Sequence, residues 1–353
     1  MRDLAFISCC PDDRMFAWTY RVMLSNFRKF GYSSLERVLV ILPHDRLAVG
    51  WNPEFKQLEK DFPETKFFWH EDTEDFFGKF VRPYHYIPLF RPYLLEKHFR
   101  EYPELAQKAI FYHDADIAFT QKLDFSPFLQ DDTCYLSDTR SYIAASYWDS
   151  KIKDVLPERI EAYKKIDPLD ICARTCGISR KICEENEASS GGAQYLLKGI
   201  DADYWKDVRQ GCMSIRGALF YDFPGSVNNM FFASEDKGFQ SWCCDMWSVL
   251  WNLWKRGYKT VCPKELDFAW ATDRINKWGE TYIYHDAGAS PVPFNDERGK
   301  PHILFFKRGR DGSEYANNLC TPFDHELGYI SPDYCSYKYV EEIQDAKKTF
   351  TNA

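Results

Sequence analysis

No apolar run in the 353-residue chain reaches the roughly eighteen residues that a membrane-spanning helix needs. The start, "MRDLAFISCCPDD", turns charged after a short apolar stretch, so no secretory leader is visible and a cytoplasmic protein is expected. There is no CxxC pair, and the twelve cysteines are expected to be reduced and mostly buried. Cys172, Cys176 and Cys183 lie close in sequence, but their spacing matches no zinc signature. Low-complexity tracts and internal repeats are also missing, which argues against a disordered or solenoid chain. Positive charge is not in excess: 45 Lys and Arg face 53 Asp and Glu, a net charge of −8, which disfavours a dedicated nucleic-acid binder. Finally, "SCCPDD" after the first apolar run is not a glycine-rich phosphate loop.

Aromatic residues, by contrast, make up 17% of the chain. That abundance suits a binder of carbohydrates or nucleosides, whose flat faces stack on rings, and it equally suits a well-filled core. The first half alternates strand and helix patterns. "LAFISCC" is a short apolar run, "FAWTYRVMLSNFRKFG" an amphipathic helix closed by Gly31, and "RVLVILP" a buried strand. "KFFWHED", the helix "RPYLLEKHFREYP" and a strand at 110–114 follow. This order predicts an α/β fold with a doubly wound, mostly parallel sheet, whose ligands sit beyond the carboxyl ends of the strands.

From about Ser150 the pattern changes. Residues 150–186 read as a charged helical insertion over the site. "ASSGGAQYLLKGIDADYWKDV" then gives a short strand and a helix capped near Asp201 or Asp203, and "SWCCDMWSVLWNLWKRGYK" a tryptophan-rich helix ended by Gly257. Trp247, Trp251 and Trp254 at near-helical spacing are read as core. The main domain is expected to span 1–315, with 316–353 an irregular extension that wraps back over it.

Two carboxylates end the buried strand "IFYHDADIAF": Asp114 and Asp116, separated by Ala115. An unpaired buried carboxylate is costly, so such groups are expected to be paired, hydrated or bound to a cation. On extended chain at a strand end, alternate residues point the same way and can share one divalent ion. The second such spacing, Asp201 and Asp203, opens a helix and is read as a cap. Later come "YIYHDAG" with His285, and "ILFFKRGR" with Lys307, Arg308 and Arg310, cations that suit a diphosphate.

Taken in order, "YHDAD", "SSGGAQYLL", "CDMW", "YHDAG" and "FFKRG" resemble the motif succession of GT-A fold glycosyltransferases, in the flavour of hydroxyproline arabinosyltransferases and peptidyl-serine galactosyltransferases with related bacterial and phage proteins. The resemblance covers about residues 4–310 as ordered motifs. It implies transfer of a sugar from a nucleotide-sugar donor, UDP-linked by expectation, to a hydroxyl of a protein, a glycan or a modified DNA base, with Mn²⁺ or Mg²⁺, and a lean toward a retaining outcome. It further implies that Asp114, Asp116 and His285 hold the metal and that Lys307, with Arg308 beside it, meets the diphosphate. The loop Ser8, Cys9 and Pro11 would flank base and ribose. Arg91 would start a helix under the donor, Gly191, Gly192 and Gln194 would lie against the sugar, and Asp245 would be a catalytic residue, the general base of an inverting enzyme or an orienting carboxylate in a retaining one. Asp138 is a further strand-end carboxylate. Eukaryotic members of that flavour are anchored in the secretory pathway, so a cytoplasmic or virus-encoded enzyme is the expectation here. A nucleotidyltransferase or phosphohydrolase using the same metal, or a decayed carbohydrate-binding scaffold, are the alternatives.

Overall fold

The computed structural model describes residues 2–83, 86–154, 167–219, 240–287, 294–295, 299, 301–309, 315 and 320–350. It is a mixed α/β protein in which parallel strand pairing predominates. Contacts divide the chain into two compact units. The strand unit comprises Ala5–Asp72, Tyr112–Phe125 and Lys264–Ala353. The helical unit comprises Met1–Leu4, Thr73–Phe111 and Ser126–Pro263.

In the strand unit β1 (Leu4–Pro11), β2 (Glu36–Leu42) and β3 (Lys66–Glu71) pair in parallel. Every residue of β2 is buried, which is why "ERVLVIL" reads as an unbroken apolar run rather than an alternation. Helix α1 (Arg14–Phe30) links β1 to β2. Asp13 starts it by accepting the Met15 N–H, and Gly31 ends it at φ 82°, a left-handed turn whose N–H returns to Phe27 and Arg28 carbonyls. Helix α2 (Pro53–Asp61) precedes β3.

A second, three-stranded sheet in this unit is absent from the sequence pattern. Its strands are β5 (Ile117–Phe119), β9 (Phe268–Trp270) and β10 (Ile283–His285), with β10 central, antiparallel to β5 and parallel to β9. Three-residue strands carry too little periodicity to be read from sequence. The C-terminal segment also differs from the irregular wrap expected. Cys335–Lys347 is a helix whose Tyr339, Val340, Ile343 and Ala346 join Trp18 and Val22 of α1, Tyr284 of β10 and Phe305 in one apolar cluster. Full burial of side chains such as Val340 and Ile343 contributes about 1.5–3 kcal/mol each.

In the helical unit β4 (Ala109–Tyr112) supplies the strand before Asp114. Strand β6 (Cys134–Asp138) pairs antiparallel with β7 (Gly191–Lys198) and parallel with β8 (Thr260–Val261). Helix α3 (Phe90–Glu101) and the helices Ala202–Gly217 and Cys244–Lys255 pack together. Asp201 caps the second of these through the Tyr204 N–H, as read from sequence. The tryptophans of the third are core: Trp247 and Trp251 are buried, Trp148 lies 4.6 Å from Trp247, and the Trp247 indole N–H donates to Ile143 O at 2.9 Å. Of the expected insertion, helices Ala145–Asp154, Pro168–Thr175 and Arg180–Glu185 are seen, while 155–166 lie outside the described residues. Burial pushes the Cys176 and Cys183 thiols up to about 12, so both stay protonated at neutral pH. No helix among the described residues is long and apolar enough to cross a membrane.

Candidate active site

Asp114 and Asp116 do not lie on extended chain. Ala115 and Asp116 form the turn through which the chain leaves β4 and enters β5. What gathers a site around them is the register of the second sheet. Ile117 of β5 stands opposite His285 of β10, and the Asp286 N–H donates to Asp116 O at 2.9 Å. The pairing sets the imidazole against both carboxylates: His285 Nε2 is 3.4 Å from Asp114 Oδ2 and 3.4 Å from Asp116 Oδ1. One ligand atom from each of the three residues lies within 4.8 Å of the others, the only such group of His, Cys, Asp or Glu among the described residues. The Trp270 ring stacks on the imidazole at 5.6 Å and 21°, and Phe268 meets it edge-on at 5.3 Å. Those rings limit how the imidazole can turn.

Lys307 completes the cluster. Its ammonium donates to Asp116 Oδ2 and to Asp286 O, the latter at 2.9 Å. The charges set one another's protonation. Burial pushes the Asp116 carboxyl up, but the Lys307 and His285 charges outweigh it and hold the group well below the usual carboxylate range. Burial opposes a charged imidazole at His285, yet Asp116 and Asp114 raise its pKa above the ordinary 6.5. Lys307 is raised in the same way, against burial, chiefly by Asp116.

These residues fit a hard or borderline divalent cation. Two carboxylates and one imidazole converge on one spot, a donor set that can hold a divalent cation and lacks the thiolates a soft metal prefers. The carboxylates that favour a proton on His285 also have the charge that favours a cation.

The other residues singled out in the sequence sit as follows. Ser8, Cys9 and Pro11 belong to β1 itself and are buried, not in the loop beyond it. The Ser8 hydroxyl donates to Glu36 Oε1 at 2.5 Å. Arg308 is exposed on the turn that carries Lys307, and Arg310 lies outside the described residues, as does Gly288. In the helical unit Arg91, near the start of α3, pairs with Asp245 at 2.7 Å. The Tyr86 hydroxyl lies 2.9 Å from Asp245 Oδ1 and accepts the Asp245 N–H at 3.0 Å. Asp245 therefore joins two segments of the helical unit. Gln194 is fully buried and accepts the Ser137 hydroxyl at 2.9 Å. Asp138 pairs with Arg140, which holds its carboxyl below the usual range.

Gly191 and Gly192 have a reason internal to the helical unit. A Cβ on Gly191 would come 2.5 Å from Ser137 O and 2.7 Å from Leu136 Cβ; one on Gly192 would come 2.7 Å from Met246 Cε. Ala193 beside them has φ 68°, a left-handed backbone of the kind that costs an L-residue on the order of 1–3 kcal/mol. Gly191→Ala is expected to cost about 1–3 kcal/mol in urea unfolding, because the obstructing atoms include backbone. Unchanged stability would show that the strand has room to move.

Sequence reasoning missed Tyr86, Glu36 and His113. His113 had a visible signal, a buried-type position directly before Asp114; Glu36 and Tyr86 had none, since their partners are distant in sequence.

No family model and no curated protein sequence matches the chain. Solved structures similar to it include the galactosyltransferase LgtC in complex with donor and acceptor sugar analogues, 11% identical, with 99% of this chain and 97% of that one covered at a TM-score of 0.42. A structure of LgtC carrying a single active-site substitution is also 11% identical, covering 96% of this chain and 95% of that one at a TM-score of 0.38. Both superpositions are loose.

Proposed function

We propose that this protein is a metal-dependent glycosyltransferase of the GT-A type, moving a sugar from a nucleoside diphosphate donor, UDP-linked by expectation, to a hydroxyl acceptor. The observation that carries the reading is the convergence of Asp114, Asp116 and His285 with Lys307 at their side. The ordered motifs of the sequence support the same class.

In this reading Asp114, Asp116 and His285 hold a divalent cation, Mn²⁺ or Mg²⁺. A cation there supplies positive charge to a departing diphosphate. Lys307 adds a second positive charge from the chain itself, on the side of Asp116. The reaction breaks the bond between the anomeric carbon and the diphosphate oxygen and forms one to the acceptor oxygen, whose proton passes to the departing diphosphate. It needs little covalent chemistry from the protein, so positioning and charge account for most of the acceleration.

The test is a thermal-shift panel of UDP, other nucleoside diphosphates and their sugars, each with and without Mn²⁺. A ligand at a hundred times its dissociation constant adds about 2.7 kcal/mol, several degrees for a chain of this size. Stabilisation by a UDP species only with metal present is expected. A panel in which no nucleotide shifts the transition, or in which metal makes no difference, would remove the reading.

A further inference from the structure

Behind Asp114 lies a buried polar relay. Ser8, Glu36 and His113, all in the strand unit, are each 0–1% exposed. The Ser8 hydroxyl donates to Glu36 Oε1 at 2.5 Å, and Glu36 Oε2 lies 3.0 Å from His113 Nε2. The other ring nitrogen, His113 Nδ1, is 2.9 Å from the carbonyl oxygen of Asp114. A carbonyl can only accept, so Nδ1 donates to it, and the contact with the Glu36 carboxylate needs a hydrogen on Nε2 as well. The backbone is held too: the His113 N–H donates to Ile7 O at 3.2 Å. Around the imidazole stand the rings of Phe6 and Phe27, at 6.1 and 5.3 Å.

Three polar side chains in such surroundings are costly to bury, and apolar residues of equal volume would serve stability as well or better. The relay ends on Asp114–Ala115, the first of the two peptides that link the carboxylates of the site. We propose that Ser8, Glu36 and His113 are positioning residues that fix the Asp114–Ala115 peptide, and so the spacing of Asp114 and Asp116, for the cation. The inference rests on the metal reading above. Ser8 orients Glu36, Glu36 orients the imidazole, and the imidazole N–H holds the Asp114 carbonyl. The turn would otherwise be free to rotate that peptide and swing one carboxylate away from the other. Outer groups of this kind, where they have been removed from metal sites, typically weaken binding 10–100-fold.

The two ring nitrogens can be tested separately. The amide nitrogen of asparagine falls where Nδ1 stands, and that of glutamine where Nε2 stands. His113→Asn keeps a donor for the Asp114 carbonyl and loses Glu36; His113→Gln keeps Glu36 and loses the carbonyl. The measurement is a titration of the full chain with Mn²⁺ alone, following free Mn²⁺ by electron paramagnetic resonance, with the metal-free melting temperature recorded alongside. Wild type is expected to bind and Asp114→Ala to lose binding. His113→Gln is expected to weaken Mn²⁺ about tenfold or more. His113→Asn should stay within about threefold of wild type, while both lower the metal-free melting temperature. Equal Mn²⁺ affinity in both variants would make His113 a packing residue and overturn the inference while the metal site stands. No binding by wild type would overturn the metal reading and the inference together. Should His113→Gln fail to fold, Ser8→Ala removes only the outermost hydroxyl. It is expected to weaken Mn²⁺ about fivefold or more, beyond the band allowed for His113→Asn, and affinity within about threefold of wild type would equally overturn the relay.

Discussion

If the protein is the glycosyltransferase proposed above, Asp116→Asn is expected to lower sugar transfer by about 10³-fold or more, a loss of about 4 kcal/mol of transition-state stabilisation. The change keeps the volume and one acceptor for Lys307 but removes the charge that faces both Lys307 and His285. On that reading it weakens one metal ligand and loosens the hold on the Lys307 ammonium. Circular dichroism should show an intact fold. The stability difference from wild type has a defined pH course. The folded-state pKa of Asp116 lies below the ordinary 3.8, so its contribution is present above that value and is lost as the medium is acidified through the depressed pKa. His285 is raised above 6.5, so its contribution is complete below 6.5 and fades as pH rises through the raised value. The gap between wild type and variant should be widest between those limits. Transfer within tenfold of wild type would remove the metal site from the mechanism.

The second large effect is on stability, at Asp245. Replacing it with alanine is expected to cost about 3–5 kcal/mol in denaturant unfolding, because it strips one side of a mostly buried ion pair. Arg91 would lose its partner at 2.7 Å, and the Tyr86 hydroxyl, whose pKa burial and the Asp245 charge both push well up, would lose the carboxylate at 2.9 Å. Asp245→Asn keeps an acceptor for Tyr86 and should cost less. Full stability of Asp245→Ala combined with lost transfer would show instead that the carboxylate serves the reactants and that its bonds to Arg91 and Tyr86 are incidental.

Local features were legible where local physics governs. The cap at Asp13 and the left-handed Gly31 bound α1 because an oxygen acceptor and a residue without Cβ solve the problems of a helix's two ends. The buried run of β2 and the tryptophans at 247 and 251 announced their burial by apolar content alone. The C-terminal helix was equally marked, by Tyr339, Val340, Ile343 and Ala346 at helical spacing, and its aromatic and charged neighbours hid the period. The expectation of extended chain through Asp114 and Asp116 failed because the chain turns there to enter another sheet, and no residue in "HDAD" other than the small Ala115 hints at that.

Residue chemistry along the chain was enough to single out a strand-end carboxylate pair, a late histidine and a basic turn. It could not place them together. Asp116 and His285 are far apart in sequence and meet through one antiparallel register, Ile117 opposite His285; a slip by one residue would turn the imidazole to the other face. Only the assembled sheets also show that Ser8, Glu36 and His113 form one chain of hydrogen bonds behind the carboxylates. Sequence determines which side chains can carry charge or ligate, since that is a property of each residue. Which of them share a proton or an ion depends on distances of a few ångströms, and those are set by the packing of segments remote along the chain.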